Sequence, residues 1–235
     1  IEVGQRVVTT SGVGFVDVRS TWGGHASRAL SDAEDVYDAD GIPDERAAFV
    51  VVAQVGYNAA SRLLLGAGAR VLVVGDGVIG SSAAYACRAR GFDVLVAGRH
   101  RCRLDRLRAA DFATVDTRAS DPAQFVAAYG PVAVIDTVQN DAAFALYVPR
   151  LPWRTGQIVY SGHSPGGVTA WADMAVLQER EFTVHFVSGI ARDRVEATLG
   201  LMRTGHMPSE HLLGTIARTA EDARALMRTV AEGRL

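Results

Sequence analysis

Three glycines in G-x-G-x-x-G spacing, Gly75, Gly77 and Gly80, lie between an apolar run at 71–74 and a stretch of small residues that begins at Ser81. No other feature constrains the chain as much. An apolar run without polar alternation is the pattern of a strand covered on both faces. The small residues of 79–90, closed by Gly91, read as a helix that packs tightly on it. Between such elements Gly75 permits a sharp turn, Gly77 lets the backbone approach a pyrophosphate, and Gly80 permits close helix–strand packing. The start of that helix, from Val78 and Ile79, offers unpaired N–H groups and a positive dipole end to an anion. The three letters alone also occur in glycine-rich turns of degenerate domains; their strand and helix neighbours make them a dinucleotide-binding prediction.

The next strand, DVLVAG at 93–98, ends at the position that selects the nucleotide. An NAD site carries a carboxylate about 20 residues after the last glycine, to hold the ribose 2′-hydroxyl. Here the stretch reads Gly98, Arg99, His100, Arg101. Gly98 leaves room and Arg99 can pair with a 2′-phosphate, assisted by Arg101 or Arg103. The expectation is NADP(H) rather than NAD(H), against the plainer alternative of a solvated arginine face on the following helix.

Strand and helix patterns then alternate. A helix is expected at 101–110, a strand at 112–116, a helix at 121–128, and strands at 131–138 and 156–162. A helix at 169–179, a strand at 182–189 and a helix at 191–204 follow. This succession predicts an α/β fold, a Rossmann doubly wound parallel sheet. Upstream, GQRVVTT and HASRAL read as strands, a helix starts between Asp44 and Ala47, and 48–65 suits a buried helix. Downstream, LLGTIA reads as a short strand. Thr219 and Asp222 read as the capped start of a last helix.

Composition excludes several classes. Net charge is −2, so no global field recruits nucleic acid, and the arginines of 99–108 lack interleaved aromatics. No apolar run reaches the ~20 residues of a membrane span, and the first residues lack a signal-peptide layout; a cytoplasmic location is the expectation. The two cysteines, Cys87 and Cys102, provide neither a disulfide framework nor a four-cysteine metal site. The chain contains no lysine, which removes the P-loop motif and any Schiff-base amine.

Across its length the chain resembles the medium-chain dehydrogenase/reductase family, in which a GroES-like catalytic domain is interrupted by a Rossmann domain. VGQRVVTT and GGHASRAL resemble that family's strands, IPDERAAFV the entry to its linking helix, and VGYNAASR the segment beside the nicotinamide. The last residues resemble the family's closing helix. The resemblance implies three segments: 1–48, a partial GroES-like piece; 49–205, the Rossmann domain; and 206–235, a return to the catalytic domain. The GGHASRA and Y-x-A-x-R-like context resembles zinc-free members, including the bacteriochlorophyll-pathway hydroxyethyl dehydrogenases. The third zinc ligand of zinc-dependent members falls near Val51, among three valines, so the resemblance implies a zinc-independent enzyme, either shortened at its N-terminus or lacking its true start.

The resemblance implies that the ends of the fourth and fifth strands line the nicotinamide, which nominates Thr137, Gln139 and Asn140 after one and Ser161, Gly162 and His163 after the next. Their position agrees with the rule that ligands sit at strand carboxyl ends. The resemblance adds Gln54, Tyr57 and Asn58 on the nicotinamide-facing segment, with Tyr57 a proton donor or simply a packed tyrosine. Gln54, Tyr57 and His163 are the catalytic candidates. His25 and His185 read more plainly as structural, as does Asp136. The function implied is hydride transfer to or from a small or medium organic carbonyl, alcohol or activated alkene. The alternative is a nucleotide-binding family member without redox turnover. FTVHFVSG, as an edge strand, is the expected homodimer seam.

Overall fold

The computed structural model describes residues 2–12, 28–119, 121–162, 172–208, 212 and 214–232. Within them the chain forms β1 (Val7–Thr9), β2 (Val36–Asp38), α1 (Asp44–Ala47) and α2 (Val50–Ser61). There follow β3 (Arg70–Val74), α3 (Val78–Ala89), β4 (Asp93–Gly98), α4 (Arg101–Ala109), β5 (Ala113–Asp116) and α5 (Pro122–Tyr129). The remainder is β6 (Ala133–Asp136), α6 (Asp141–Tyr147), β7 (Gln157–Ser161), α7 (Met174–Glu179), β8 (Thr183–Val187), α8 (Arg192–Arg203) and α9 (Ala220–Ala231).

The apolar runs build a six-stranded sheet in the order β5-β4-β3-β6-β7-β8, parallel throughout. The order reverses between β3 and β6, where a doubly wound sheet opens its ligand crevice. Alternation along each strand sends side chains into two cores. Val71, Val73, Val94 and Val96 join Ala59, Ala83 and Tyr85 of α2 and α3 on one face. Leu72, Val74, Leu95 and Ala97 join Val126, Ala143 and Leu146 of α5 and α6 on the other. A separate antiparallel pair, β1 with β2, supplies the small second sheet.

Side-chain caps set several helix starts. Asp121 and Asn140 cap α5 and α6, and Thr219 forms a capping box with Asp222 at α9. Asp173 caps α7 through the N–H groups of Ala175 and Val176, so that helix begins at Met174; of the helix expected at 169–179, residues 169–171 lie outside the described residues. Two expected strands are corrected. Arg28–Leu30 of HASRAL and Gly214–Ala217 of LLGTIA are not strand, and neither has a ladder partner among the described residues. Without paired N–H and C=O groups an extended apolar segment has nothing to hold it in a sheet. Among the described residues no helix is long and apolar enough to cross a membrane.

Candidate functional site

The turn after β3 is held open by contacts at its back. Gly75 has φ +121°, and a Cβ there would lie 2.1 Å from Thr137 Oγ1. Thr137 donates that hydroxyl to the Val74 carbonyl at 2.9 Å, so β6 buttresses the loop. A Cβ on Gly80 would lie 2.0 Å from the Gly75 carbonyl oxygen, so only glycine lets α3 start this close to the strand. Gly77 is different: nothing lies within 4 Å of its missing Cβ. It is the N-cap of α3 without a side-chain cap, which leaves the first-turn N–H groups, Val78 and Ile79 among them, without a side-chain acceptor. That cradle fits an anionic phosphate.

At the end of β4 the loop folds onto a residue the sequence did not single out. Asp76 is 5% exposed. Its Oδ2 accepts the backbone N–H of Arg99 at 2.9 Å and of His100 at 2.6 Å, and its Oδ1 lies 2.8 Å from His100 Nδ1. Burial pushes the Asp76 carboxyl up, but the ring and backbone of His100 and the Arg99 N–H outweigh it and hold the group below its ordinary range. Gly98 is required by this contact, because a Cβ there would sit 2.5 Å from Asp76 Cβ. A carboxylate inside a loop of glycines and apolar residues, two strands' reach from an arginine cluster, was the available sequence signal. Arg99 itself is exposed and has no side-chain partner among the described residues, whereas Arg101 turns to Asp105 at 3.9 Å.

Asp76, Gly77, Val78 and Ser81 also wall a cleft of about 340 Å³, closed by Arg103 and Arg106 of α4. The Ser81 hydroxyl is buried there without a hydrogen-bond partner.

The ends of β6 and β7 meet as expected, with divided roles. The Asp136 carboxylate is fully buried and accepts the N–H groups of Val138 and Gln139 at 2.8 and 2.9 Å. Tyr147 donates to its other oxygen at 3.1 Å and lies 3.2 Å from the Tyr160 hydroxyl. Burial pushes the Asp136 carboxyl up despite these donors, and burial pushes the Tyr160 hydroxyl up to about 12. Asp136 therefore shapes the turn, in which Gln139 takes φ 56° and donates Nε2 to the Ser161 carbonyl at 3.0 Å. Asn140 spends its amide oxygen on the α6 cap. The Ser161 hydroxyl is buried and unpartnered beside Gly162.

Gln54 reaches the same end of the sheet from α2. It is fully buried, donates Nε2 to the Gly189 carbonyl at 3.3 Å, and leaves Oε1 without a donor. Tyr57 is half-buried against the core, about 4.5 Å further along the helix axis from the strand ends. Asn58 is buried and accepts from Arg62. His163 and His25 lie outside the described residues. His185 sits on β8 with Nε2 buried and unpartnered. The described residues contain no group of three or more His, Cys, Asp or Glu that could hold a metal ion.

No protein-family model and no curated protein sequence matches the chain. Solved structures do. The 2R,3R-butanediol dehydrogenase of Bacillus subtilis superposes with a TM-score of 0.73 at 21% identity, covering 91% of this chain and 67% of that one. The galactitol-1-phosphate dehydrogenase of Escherichia coli gives 0.74 at 18% identity, covering 91% and 65%. A short chain alcohol dehydrogenase of Escherichia coli, solved with the cofactor NADH, gives 0.76 at 17%, covering 96% and 74%. At these identities the likeness is one of fold.

Proposed function

Because the chain has the medium-chain dehydrogenase/reductase fold, we propose that it is an NADP(H)-dependent, zinc-independent oxidoreductase acting on a small organic carbonyl, alcohol or activated alkene. The observation that carries this reading is the uncapped start of α3 at Gly77 beside the unpaired Arg99 guanidinium at the end of β4. The first supports a reading of pyrophosphate binding and the second one of 2′-phosphate binding. The bound nicotinamide would supply or accept the hydride.

The protein's part is placement and proton handling. The first-turn N–H groups of α3 hold the pyrophosphate, and the Asp136-braced turn of Thr137–Gln139 walls the nicotinamide end. Gln54 Oε1 and Ser161 Oγ, both buried without partners, take hydrogen bonds from the cofactor amide or from substrate. We assign Tyr57 as the proton donor and His163 as a substrate or cofactor contact. The valines at 50–52, where zinc-dependent members carry a ligand, support chemistry without zinc. β8 is the sheet's edge and shows Phe186 73% exposed, which supports a homodimer joined along this strand.

The test is fluorescence titration of the chain with NADPH and NADH, alongside Arg99→Asp, followed by a carbonyl and enone panel read by loss of NADPH absorbance. NADPH binding well ahead of NADH, lost in the variant, with turnover of at least one substrate class, supports the assignment. Failure to bind either nucleotide overturns it. Tight binding without turnover leaves a nucleotide-binding protein and removes the enzyme.

A further inference from the structure

Two buried tyrosines stand behind the turn between β6 and α6, and the function proposed above gives them no part. Tyr147 of α6 and Tyr160 of β7 have hydroxyls 3.2 Å apart, and Tyr147 donates to Asp136 Oδ2 at 3.1 Å. Packing alone does not call for these oxygens, since phenylalanine has the same ring. A buried hydroxyl is tolerated where it finds a partner. Here the partners form one file: Tyr160, Tyr147, Asp136, and then the N–H groups of Val138 and Gln139 at 2.8 and 2.9 Å. Neighbouring rings hold the file in place. Phe144 packs against Tyr147 with ring centres 6.0 Å apart, and Phe186 of β8 against Tyr160 at 5.1 Å.

Gln139 is the residue at the end of this file, and its backbone is strained. It takes φ 56°, a left-handed conformation that is costly for a residue with a side chain. Asp111 and Glu181 take it too, but each follows the last turn of a helix, where it is ordinary. Arg154 does so in the turn before β7. Gln139 instead leads into a helix, one residue before the N-cap of α6. Such a conformation persists only where its surroundings over-determine it, and it gathers at ligand sites. Asp136 Oδ1 is committed to both N–H groups of the turn, so the Tyr147 hydroxyl on Oδ2 fixes the plane of the carboxylate. Gln139 Nε2 adds a tie to the Ser161 carbonyl at 3.0 Å.

The group this turn presents is Val138. It is 46% exposed, and a Cβ on Gly75 would lie 3.4 Å from its Cγ2. An apolar side chain is thus held at the rim of the glycine loop, toward the ends of β6 and β7. In the dinucleotide reading, the half of the ligand that continues from the pyrophosphate toward β7 crosses it.

We propose that Tyr147 and Tyr160 are positioning residues, which act through Asp136 to hold the 137–139 turn in the shape that seats the nicotinamide half of the dinucleotide. This rests on the dinucleotide reading above and adds two residues that never touch the cofactor. Their hydroxyls keep the strained turn in place before the ligand arrives, so binding does not have to order it.

The parent, Tyr147→Phe and Tyr160→Phe are titrated at a temperature where thermal unfolding shows each to be folded. NADPH and NADH are followed by fluorescence. ADP-ribose and its 2′-phosphate, which lack the nicotinamide, are followed by calorimetry. Tyr147→Phe is expected to weaken the better-bound reduced nucleotide about tenfold and leave the matching ADP-ribose ligand unchanged. The blue shift of the bound nicotinamide emission should shrink with it. Tyr160→Phe is expected to act in the same way, by about threefold. In an Asp136→Asn background, Tyr147→Phe should change nicotinamide nucleotide affinity by less than about twofold, because the carboxylate it acts on is gone.

Equal weakening of the reduced nucleotide and its ADP-ribose counterpart makes the tyrosines merely structural and overturns the proposal. Full affinity with unaltered emission in Tyr147→Phe overturns it, as does an undiminished loss in the Asp136→Asn background. A parent that binds nicotinamide nucleotides and ADP-ribose ligands equally, with no emission shift, overturns the positioning role and spares nucleotide binding. A parent that binds none of these ligands overturns both.

Discussion

Asp76 Oδ2 accepts the backbone N–H of Arg99 at 2.9 Å, so the glycine loop itself holds the backbone of the residue to which we assign nucleotide selection. The bond joins the turn after β3 to the end of β4, which are neighbours in the sheet but more than twenty positions apart in the chain. Gly98 makes the approach possible, and His100 closes it from the other side.

Asp76→Ala leaves the N–H groups of Arg99 and His100 without their acceptor. We expect about 1–3 kcal/mol of lost stability. At about 2–4 °C per kcal/mol for a chain of this size, calorimetry should see the midpoint fall clearly. An unchanged midpoint would show that the contact contributes nothing.

Asp76 and Asp136 give stability opposite dependences on pH. The native pKa of Asp76 lies below its unfolded value. Its contribution is present above the ordinary carboxylate range, about pH 4, and is lost as pH falls through the lowered value. The native pKa of Asp136 is raised, so its contribution is full below about pH 4 and declines as pH rises through the raised value. In urea unfolding, the stability gap between parent and Asp76→Asn should widen as pH rises through about 4. The gap between parent and Asp136→Asn should narrow. Trends of the same sign would refute the assignment.

Gly56 separates α2 from α3. A Cβ there would lie 2.5 Å from the Ala83 nitrogen and 2.7 Å from the Ile79 carbonyl oxygen. Gly56→Ala must push α3 away and is expected to cost about 1–3 kcal/mol. Because α3 carries the phosphate cradle at its start, nucleotide affinity should fall too. Binding measured at a temperature where the variant remains folded separates the two effects; full affinity there would mean that α3 had not moved.

Gln54→Met tests whether a buried polar group serves ligand or fold. Gln54 makes one 3.3 Å bond and leaves an unpaired acceptor. An apolar residue of similar volume should leave the thermal midpoint of the free chain unchanged or raised, while nicotinamide nucleotide affinity falls about tenfold. The reverse pattern, a lowered midpoint with full affinity, would make Gln54 structural.

The sequence by itself determined the layered α/β architecture. Apolar runs such as 71–74 and 94–97 are the pattern of strands buried on both faces, and the glycine spacing between such a strand and a small-residue helix predicts the turn that joins them. It also placed Arg99 at the end of β4 and the Thr219–Asp222 capping box, since both depend on neighbours a few residues apart. Only the tertiary structure decided what Asp76 does, because its partners, the backbone of Arg99 and His100 and the His100 ring, come from the next β-α unit. It showed Thr137 to be a buttress for Gly75 and Asn140 to be a helix cap, roles that rest on contacts across the sheet or on a cap geometry that the letters share with a ligand. The misread strands at Arg28–Leu30 and Gly214–Ala217 have the same cause. A strand exists only with its partner, and local pattern does not name one.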